Sequence, residues 1–246
     1  MVGLLRPIRR TVRPLANGSY SGQYLKHPKY AADSIHFVRA FLAIDADVHG
    51  MLEFVEPADV NLSTYSLKLH GLLMRICIEV EANLRTIMEE NAYRPSGKWT
   101  MTEYRKVDQS HFLSLYKAKM PIWSGARGTF APFASWRTSE PLAWYQAYNE
   151  AKHDRHGSFE KATFGNVIEA YAALAIVLFA QFRDETFSGP DLLALEGTID
   201  ADGFDYGTTK NILIRPADIP PDDRYAFDWQ ALRAEDDPFV DYTYRA

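Results

Sequence analysis

The stretch LSTYSLKLHGLLMRICIEVEANLRTIMEE, at residues 62–90, decides the fold class of this chain. Apolar residues recur in it every three or four positions, the spacing that places side chains on one face of an α-helix. Ser63 or Asn61 can cap the start of this helix. We therefore predict a long amphipathic helix whose buried face consists of Leu69, Leu72, Leu73, Ile76, Val80, Leu84, Ile87 and Met88.

Residues 33–56 and 141–185 predict the other long helices. The first begins at Asp33, a candidate cap, and is followed by Pro57, which cannot continue a helix. The segment 141–185 divides at Gly157, a residue typical of helix ends. Its first helix can be capped by Ser139 or Glu140, has Pro141 in the first turn and ends at Gly157; its second, 159–185, can be capped by Ser158. Such a short connection predicts an antiparallel helical hairpin.

The rest of the chain is less regular. Residues 102–108 are compatible with a short helix, 112–119 with an extended segment, and 211–215 with a short strand. Residues 121–136 are rich in Gly, Pro and aromatic side chains and indicate a long structured loop. We therefore predict an all-α protein: an antiparallel helical bundle with an irregular mid-chain loop region and a mostly non-helical C-terminal extension.

The charge distribution divides the chain into three segments. Residues 1–32 contain six Lys or Arg and no acid, whereas 191–246 contain 13 acids and 5 bases, a local charge of −8. We predict a basic N-terminal arm (1–32), a helical domain (33–188) and an acidic C-terminal extension (189–246). The arm can contact nucleic-acid phosphates, the acidic surface of another subunit, or the acidic extension of the same chain.

Cysteine content and hydropathy favour a cytoplasmic protein. The single cysteine, Cys77, excludes an internal disulfide, and its apolar neighbours indicate a buried thiol. No 18-residue apolar stretch is free of charge, and the nearest, 167–180, contains Glu169. We therefore expect no membrane partner, and we interpret 167–180 as part of a buried core helix.

The segment WYQAYNEAKHDRH, at residues 144–156, contains the candidate functional residues. On a helix, Asn149 and His153 share one face, with Lys152 and His156 beside them. An amide, a titratable imidazole and fixed positive charge together can bind a phosphate and transfer a proton. The alternative is that these residues have a structural role only, with Trp144, Tyr145 and Tyr148 in the core.

Other chemistries have weaker support in the sequence. Glu150 and His153 form one Glu-x-x-His pair, whereas di-iron sites in helical bundles need two such pairs and further glutamates. We predict no metal and no cofactor. A Gly-x-Ser-x-Gly motif and the common glycine-rich phosphate loops are absent from the sequence. A bundle that binds a nucleotide or another small ligand through Lys152, His153 and Arg155 is a further alternative.

The order of the helices and the polar segment resemble the HEPN superfamily, small helical bundles found among prokaryotic toxins and defence proteins. The common HEPN signature is Arg-Asn-x-x-x-His, and Asn149 and His153 match its Asn and His. At the Arg position this chain has Tyr148. The pattern Trp-x-x-x-Tyr-Asn-x-x-Lys-His-Asp-Arg also resembles a group of uncharacterised bacterial proteins, over roughly residues 33–185.

This resemblance implies a metal-independent ribonuclease acting as a toxin, a toxin–antitoxin component or a defence protein. It implies His153, Asn149 and Arg155 as catalytic residues, and Lys152, His156 and Tyr148 as phosphate or nucleic-acid contacts. It also implies RNA as a partner and a homodimer formed through the hairpin 141–185. The alternative is a catalytically inactive binding or dimerisation module of a defence or stress system, with a partner protein.

Overall fold

The computed structural model describes residues 3–183, 202–206 and 211–245. The chain is mostly helical, but it is not all-α, because a small sheet joins two distant segments. The helices are α1 Ser34–Leu52, α2 Leu67–Glu90, α3 Met101–Tyr104, α4 Asp108–His111, α5 Ala143–His153, α6 Phe164–Phe182 and α7 Trp229–Leu232. The strands are β1 Lys117–Lys119, β2 Thr129–Phe130, β3 Asp205–Tyr206 and β4 Leu213–Arg215.

Helix α2 is the central element of the bundle. Helix α1 runs antiparallel to it, as two contacts show. The backbone N–H of Ala32, just before α1, donates to Glu90 at the end of α2, and Asp47 late in α1 pairs with Arg75 early in α2. Helix α6 runs parallel to α2. Its first N–H, at Phe164, donates to Thr64 just before α2, and near its end Gln181 donates to Asn83 (3.0 Å).

Helix α5 runs antiparallel to α2. Near its start Tyr145 donates to Glu81, and near its end the carbonyl of Ala151 lies 3.4 Å from the ring nitrogen of His70. Helices α5 and α6 therefore run in opposite directions along α2, but residues 154–163 separate them. The predicted connection of one or two residues was too short. The antiparallel orientation predicted for α5 and α6 is confirmed, and α2 and α6 run in the same direction.

Helix α6 forms the middle of the core. Among the described residues it is the one helix long and apolar enough to cross a membrane, yet 83% of its apolar window is buried inside the protein. Phe41 of α1 stacks on Tyr171 with ring centroids 6.0 Å apart. This burial on all sides is the pattern of a core helix in a soluble protein and agrees with the interpretation of 167–180.

The sheet has the order β2–β1–β4–β3 and is antiparallel throughout. It pairs the mid-chain segment with the C-terminal one: Ala118 lies opposite both Phe130 and Ile214, and all three are buried. The strand predicted at 211–215 is confirmed as β4. The short helix predicted at 102–108 is confirmed as α3 and α4, which 3₁₀ residues Arg105–Val107 connect.

The N-terminal arm lies along the C-terminal segment. Leu4 bridges to Tyr225, and Ile8 to Val240. Further inward, the N–H of Val12 donates to Ala180 at the end of α6 (2.9 Å). Aromatic rings from both segments pack together around Tyr24, which is fully buried; they include Tyr30, Tyr225, Phe227 and Trp229.

Candidate functional site

The buried face of α5 holds its aromatic residues in place. The indole N–H of Trp144 donates to the carbonyl of Pro132 (2.9 Å), and the hydroxyl of Tyr145 donates to Glu81 (2.8 Å). Burial is the main cause that raises the pKa of Tyr145, and Glu81 adds to it. These contacts fix the rotation of α5 about its axis. They therefore determine which of its polar residues face the solvent.

Tyr148 belongs to this buried face. Its side chain is fully buried, and its hydroxyl accepts a hydrogen bond from Lys152 (3.0 Å). Burial raises the pKa of Tyr148, so the phenol stays protonated at neutral pH. We had assigned Tyr148 to phosphate or nucleic-acid contact. The structure instead places this side chain in the core, where a phosphate in solvent does not reach it.

The other predicted residues form an exposed group, which we call the α5 end: Asn149, Lys152, His153, Arg155 and His156. Asn149 is half-buried and the other four are exposed. In the described part of the chain, the side chains of Asn149, His153, Arg155 and His156 make no hydrogen bond or ion pair. The structure therefore brings these residues to one end of α5, but nothing in it orients the imidazole of His153.

Helix α5 ends at His153, earlier than the sequence suggested. Asp154 leaves the helical conformation (φ −131°, ψ 77°), and its carboxylate and carbonyl accept the N–H groups of Gly157 and Ser158, both at 2.9 Å. Arg155 and His156 therefore lie in a turn and not on a second helical turn beside Asn149. Gly157 does not have a positive φ. A Cβ there would lie 2.2 Å from the Asp154 carboxylate, so a larger residue would displace this side chain from the N–H of Gly157.

The α5 end has little net charge. Between Asn149 and His156, Glu150 and Asp154 alternate with Lys152 and Arg155. The C-terminal end of a helix has a partial negative charge, so the cations there are explained by the helix dipole alone. Lys152 also lies over the ring of Tyr148, 5.0 Å from its centroid, and the hydrogen bond to that phenol raises the pKa of the ammonium. These features disfavour a dedicated anion site.

Metal and thiol chemistry have no site in the described residues. No group of three or more His, Cys, Asp and Glu in residues 3–183, 202–206 and 211–245 could hold a metal ion. The sulfur of Cys77 is fully buried, and burial, with a smaller effect from Glu81, raises the pKa of its thiol well above the usual value. The thiol is therefore protonated and unreactive, as the apolar sequence around it indicated.

A cavity of about 640 Å³ lies at the opposite end of α5. Trp144 at the start of α5, Asn166 and Glu169 on α6, and Phe130 of β2 line it. Glu169 is largely buried; its Oε2 has no hydrogen-bond partner, and burial raises the pKa of its carboxyl to about 7. In the sequence, Glu169 stands out only as an interruption of an apolar stretch. The feature of the sequence that could have identified Glu169 as a candidate site residue is that it is the one charged residue in α6.

The chain matches no protein-family model, no curated protein and no solved structure. The resemblance to HEPN proteins therefore rests on residues 144–156 and on the order of the helices.

Proposed function

We propose that this protein is a non-catalytic, HEPN-like helical module that binds a second copy of itself through the exposed side of α5. The observation that carries this proposal is Tyr148. At the position where HEPN nucleases have a catalytic Arg, this chain has a fully buried phenol that Lys152 hydrogen-bonds. The resemblance assigns such a module to a cytoplasmic defence or stress system.

The surroundings of His153 support the absence of catalysis. A histidine that acts as a general base is normally oriented by a hydrogen bond to its second ring nitrogen. His153 is exposed, and no described residue makes such a bond to it. The near-neutral charge of the α5 end also gives little attraction for the phosphates of RNA.

The burial of α6 determines which part of the hairpin can reach a second copy. Because α6 is enclosed by its own chain, an interface through 141–185 must use the exposed side of α5. Ala143, Gln146, Glu150 and His153 share that side at helical spacing, and all four are exposed. In an antiparallel two-fold pair, Glu150 of one copy would approach the exposed Lys152, His153 and Arg155 of the other.

Sedimentation velocity tests this proposal. We expect the wild type to be dimeric at micromolar concentration and the variant Gln146→Arg/Glu150→Arg to be monomeric, because it places like charges across the two-fold axis. Lys98→Glu, on an exposed residue outside the bundle helices, is the control and should remain dimeric. A wild type that stays monomeric at all concentrations, or a dimer unaffected by Gln146→Arg/Glu150→Arg, would overturn the proposal.

A metal-independent ribonuclease is the second candidate, because His153 and Arg155 are both exposed near the end of α5 and pair with no residue in the described part of the chain. In this mechanism His153 removes the proton from a ribose 2′-hydroxyl, and that oxygen attacks the adjacent phosphorus. The 5′-oxygen leaves and takes up a proton, which produces a cyclic phosphate. Arg155 and Lys152 would stabilise the phosphoryl oxygens, and Asn149 would hold the imidazole.

Cleavage of labelled RNA in EDTA separates the two candidates. If the protein is a nuclease, the wild type and His36→Ala, which changes an exposed histidine elsewhere, should cleave, whereas His153→Ala should lose activity at least about 100-fold. That outcome would overturn the non-catalytic proposal. Equal cleavage by all three proteins, or cleavage by none, would exclude His153 as the base.

A further inference from the structure

The cavity beside Glu169 has largely apolar walls and a partly buried carboxyl group on one of them. The apolar part of the lining includes Leu62, Phe130, Pro132 and Trp144. The indole N–H of Trp144 is already bonded to Pro132, so its ring is fixed as a wall. A volume of about 640 Å³ is within the range of small-molecule sites in proteins.

Glu169 has no hydrogen-bond or ion-pair partner among the residues that the structure describes. No described residue donates a hydrogen bond to its carboxyl group, and Oε2 is shielded from solvent. A buried carboxylate without a partner is strongly unfavourable, and most proteins place a cation or several N–H donors beside one. Here burial alone raises the pKa of the carboxyl to about 7. The missing partner can therefore be a group that enters from outside.

The other ionisable residue in the lining does not compensate Glu169. Arg127 is exposed at the cavity, and its charge acts on Asp59, whose carboxylate accepts the N–H groups of Ala126 and Arg127. A hydrogen bond from Trp123 is the main cause that lowers the pKa of Asp59, and Arg127 contributes to the same effect. Of the described residues that line the cavity, Glu169 is thus the one with an acidic side chain.

We propose that this cavity is a binding site for a small organic cation, a primary ammonium or amidinium on an aromatic or aliphatic body, with Glu169 as its anchor. The apolar body would replace water against Trp144 and Phe130, and the N–H donors would complete the hydrogen bonding of the carboxylate. Ca²⁺ and Mg²⁺ fit less well, because both need about six oxygen ligands and the cavity offers one carboxylate. The cavity shares Ala143 with the proposed dimer surface. Neither proposal needs the other, because the dimer needs no ligand and the anchor Glu169 lies on α6.

Benzylamine is a suitable probe, with benzyl alcohol and benzoate as its neutral and anionic counterparts. In calorimetric titrations at pH 8, where Glu169 is ionised, benzylamine should bind the wild type saturably and raise its melting temperature. Benzyl alcohol and benzoate should bind at least about tenfold more weakly, equivalent to about 1.4 kcal/mol. Glu169→Gln should weaken benzylamine binding by the same factor or more.

Two further variants separate a specific site from general effects. Glu160→Gln makes the same chemical change at an exposed glutamate outside the cavity and should bind benzylamine as the wild type does. Ala134→Trp fills the cavity from a residue outside the proposed dimer surface and should abolish binding while Glu169 is still present. Equal affinity of Glu169→Gln and wild type, benzoate binding as tight as that of benzylamine, or no saturable benzylamine binding would each overturn the proposal.

Discussion

The carboxyl group of Glu169 destabilises the fold when it is ionised, which is the form in which we propose that it binds a cation. Its carboxyl lies in the otherwise uncharged helix α6, and its surroundings favour the protonated form. An unfolded chain ionises the same group near its ordinary value of 4.5. The folded protein therefore holds a proton that the unfolded chain has already released, between about pH 4.5 and pH 7. Stability consequently falls as the pH rises through this window.

Glu169→Gln should remove this penalty. A pKa that rises from 4.5 to about 7 corresponds to roughly 3 kcal/mol when the group is ionised, at about 1.36 kcal/mol per pKa unit. We expect the variant to be more stable than wild type by about 2–3 kcal/mol at pH 8 and by less than about 1 kcal/mol at pH 5. Urea unfolding at both pH values measures this. A variant with the same stability as wild type at pH 8 would contradict it.

His111 has the opposite dependence on pH. It is buried; its Nε2 donates to the carbonyl of Arg10 (2.8 Å), which leaves Nδ1 to accept the hydroxyl of Ser110 (2.7 Å). Burial is the main cause that lowers the pKa of this imidazole to about 3, and the guanidinium groups of Arg10 and Arg13 also lower it. The unfolded chain therefore takes up a proton below about pH 6.5 that the folded protein excludes.

Neutral His111 should make its full contribution to the free energy of unfolding above pH 6.5, and this contribution should decline as the pH falls towards 3. Between pH 7 and pH 5 we expect a loss of about 2 kcal/mol from this group. His111→Gln should be less stable than wild type at pH 7 but should lose less on acidification. Unfolding of His111→Gln and Glu169→Gln in the same buffers separates the two groups. A wild type and His111→Gln with parallel pH profiles would argue against this assignment.

At the scale of the helices, hydrophobic spacing predicted where helices form, but not where they end. Helices α2 and α6 lie within the ranges expected from their apolar residues, yet Ser66 caps α2 and Thr163 caps α6, instead of Ser63 and Ser158. Asp33 precedes α1 without a capping hydrogen bond from its side chain. Several Ser and Thr residues could serve each end equally well in the sequence. Which residue caps a helix depends on contacts between the starts of different helices, such as the hydrogen bond from the N–H of Phe164 to the carbonyl of Thr64.

Spacing within one helix also does not determine which charged residues pair. Glu81 lies four residues before Arg85, a spacing that favours an exposed ion pair between them. In the structure Glu81 accepts from Tyr145 of α5, and Arg85 pairs with Glu89. A partner from another element cannot be identified from spacing within one helix. For the same reason, the sequence predicted the candidate residues around 149–156, which lie in one segment, but not the cavity beside Glu169, which combines three distant segments.

Tyr148→Arg tests whether α5 can accept the residue that the HEPN signature has there. Because the side chain at this position is fully buried, we expect a guanidinium to destabilise the fold by about 3 kcal/mol or more. Ile78→Arg introduces the same charge at an exposed position of α2, outside the proposed dimer surface, and should change stability by less than about 0.5 kcal/mol. Thermal unfolding of both variants measures this. A fully stable Tyr148→Arg would show that the buried face of α5 tolerates the nuclease signature.

At the scale of the whole molecule, the two ends of the chain stabilise each other. The sequence showed a basic start and an acidic end, and the structure pairs them: Arg6 with Glu235, Arg9 with Asp237 and Asp241, and Arg13 with Asp223. Arg10 turns inward instead, where it pairs with Glu90 and burial lowers its pKa. Composition could predict the attraction between the segments. It could not predict the aromatic cluster around Tyr24, because that depends on both segments meeting.

A chain that ends at residue 188 should therefore not fold stably, although the charge distribution suggested a separate domain at 33–188. The truncation removes the strand that pairs with β1 and the acidic partners of Arg9 and Arg13. It also removes the ring of Tyr225 that packs on Tyr24 and the ring of Phe239 that packs on Tyr30. We expect the truncated chain to bind a hydrophobic dye and to show no cooperative unfolding transition in urea. The full chain with Asp237→Asn and Asp241→Asn loses only charge and should unfold cooperatively, destabilised by about 1 kcal/mol. A truncated chain with a wild-type melting temperature would establish the helices as an independent domain.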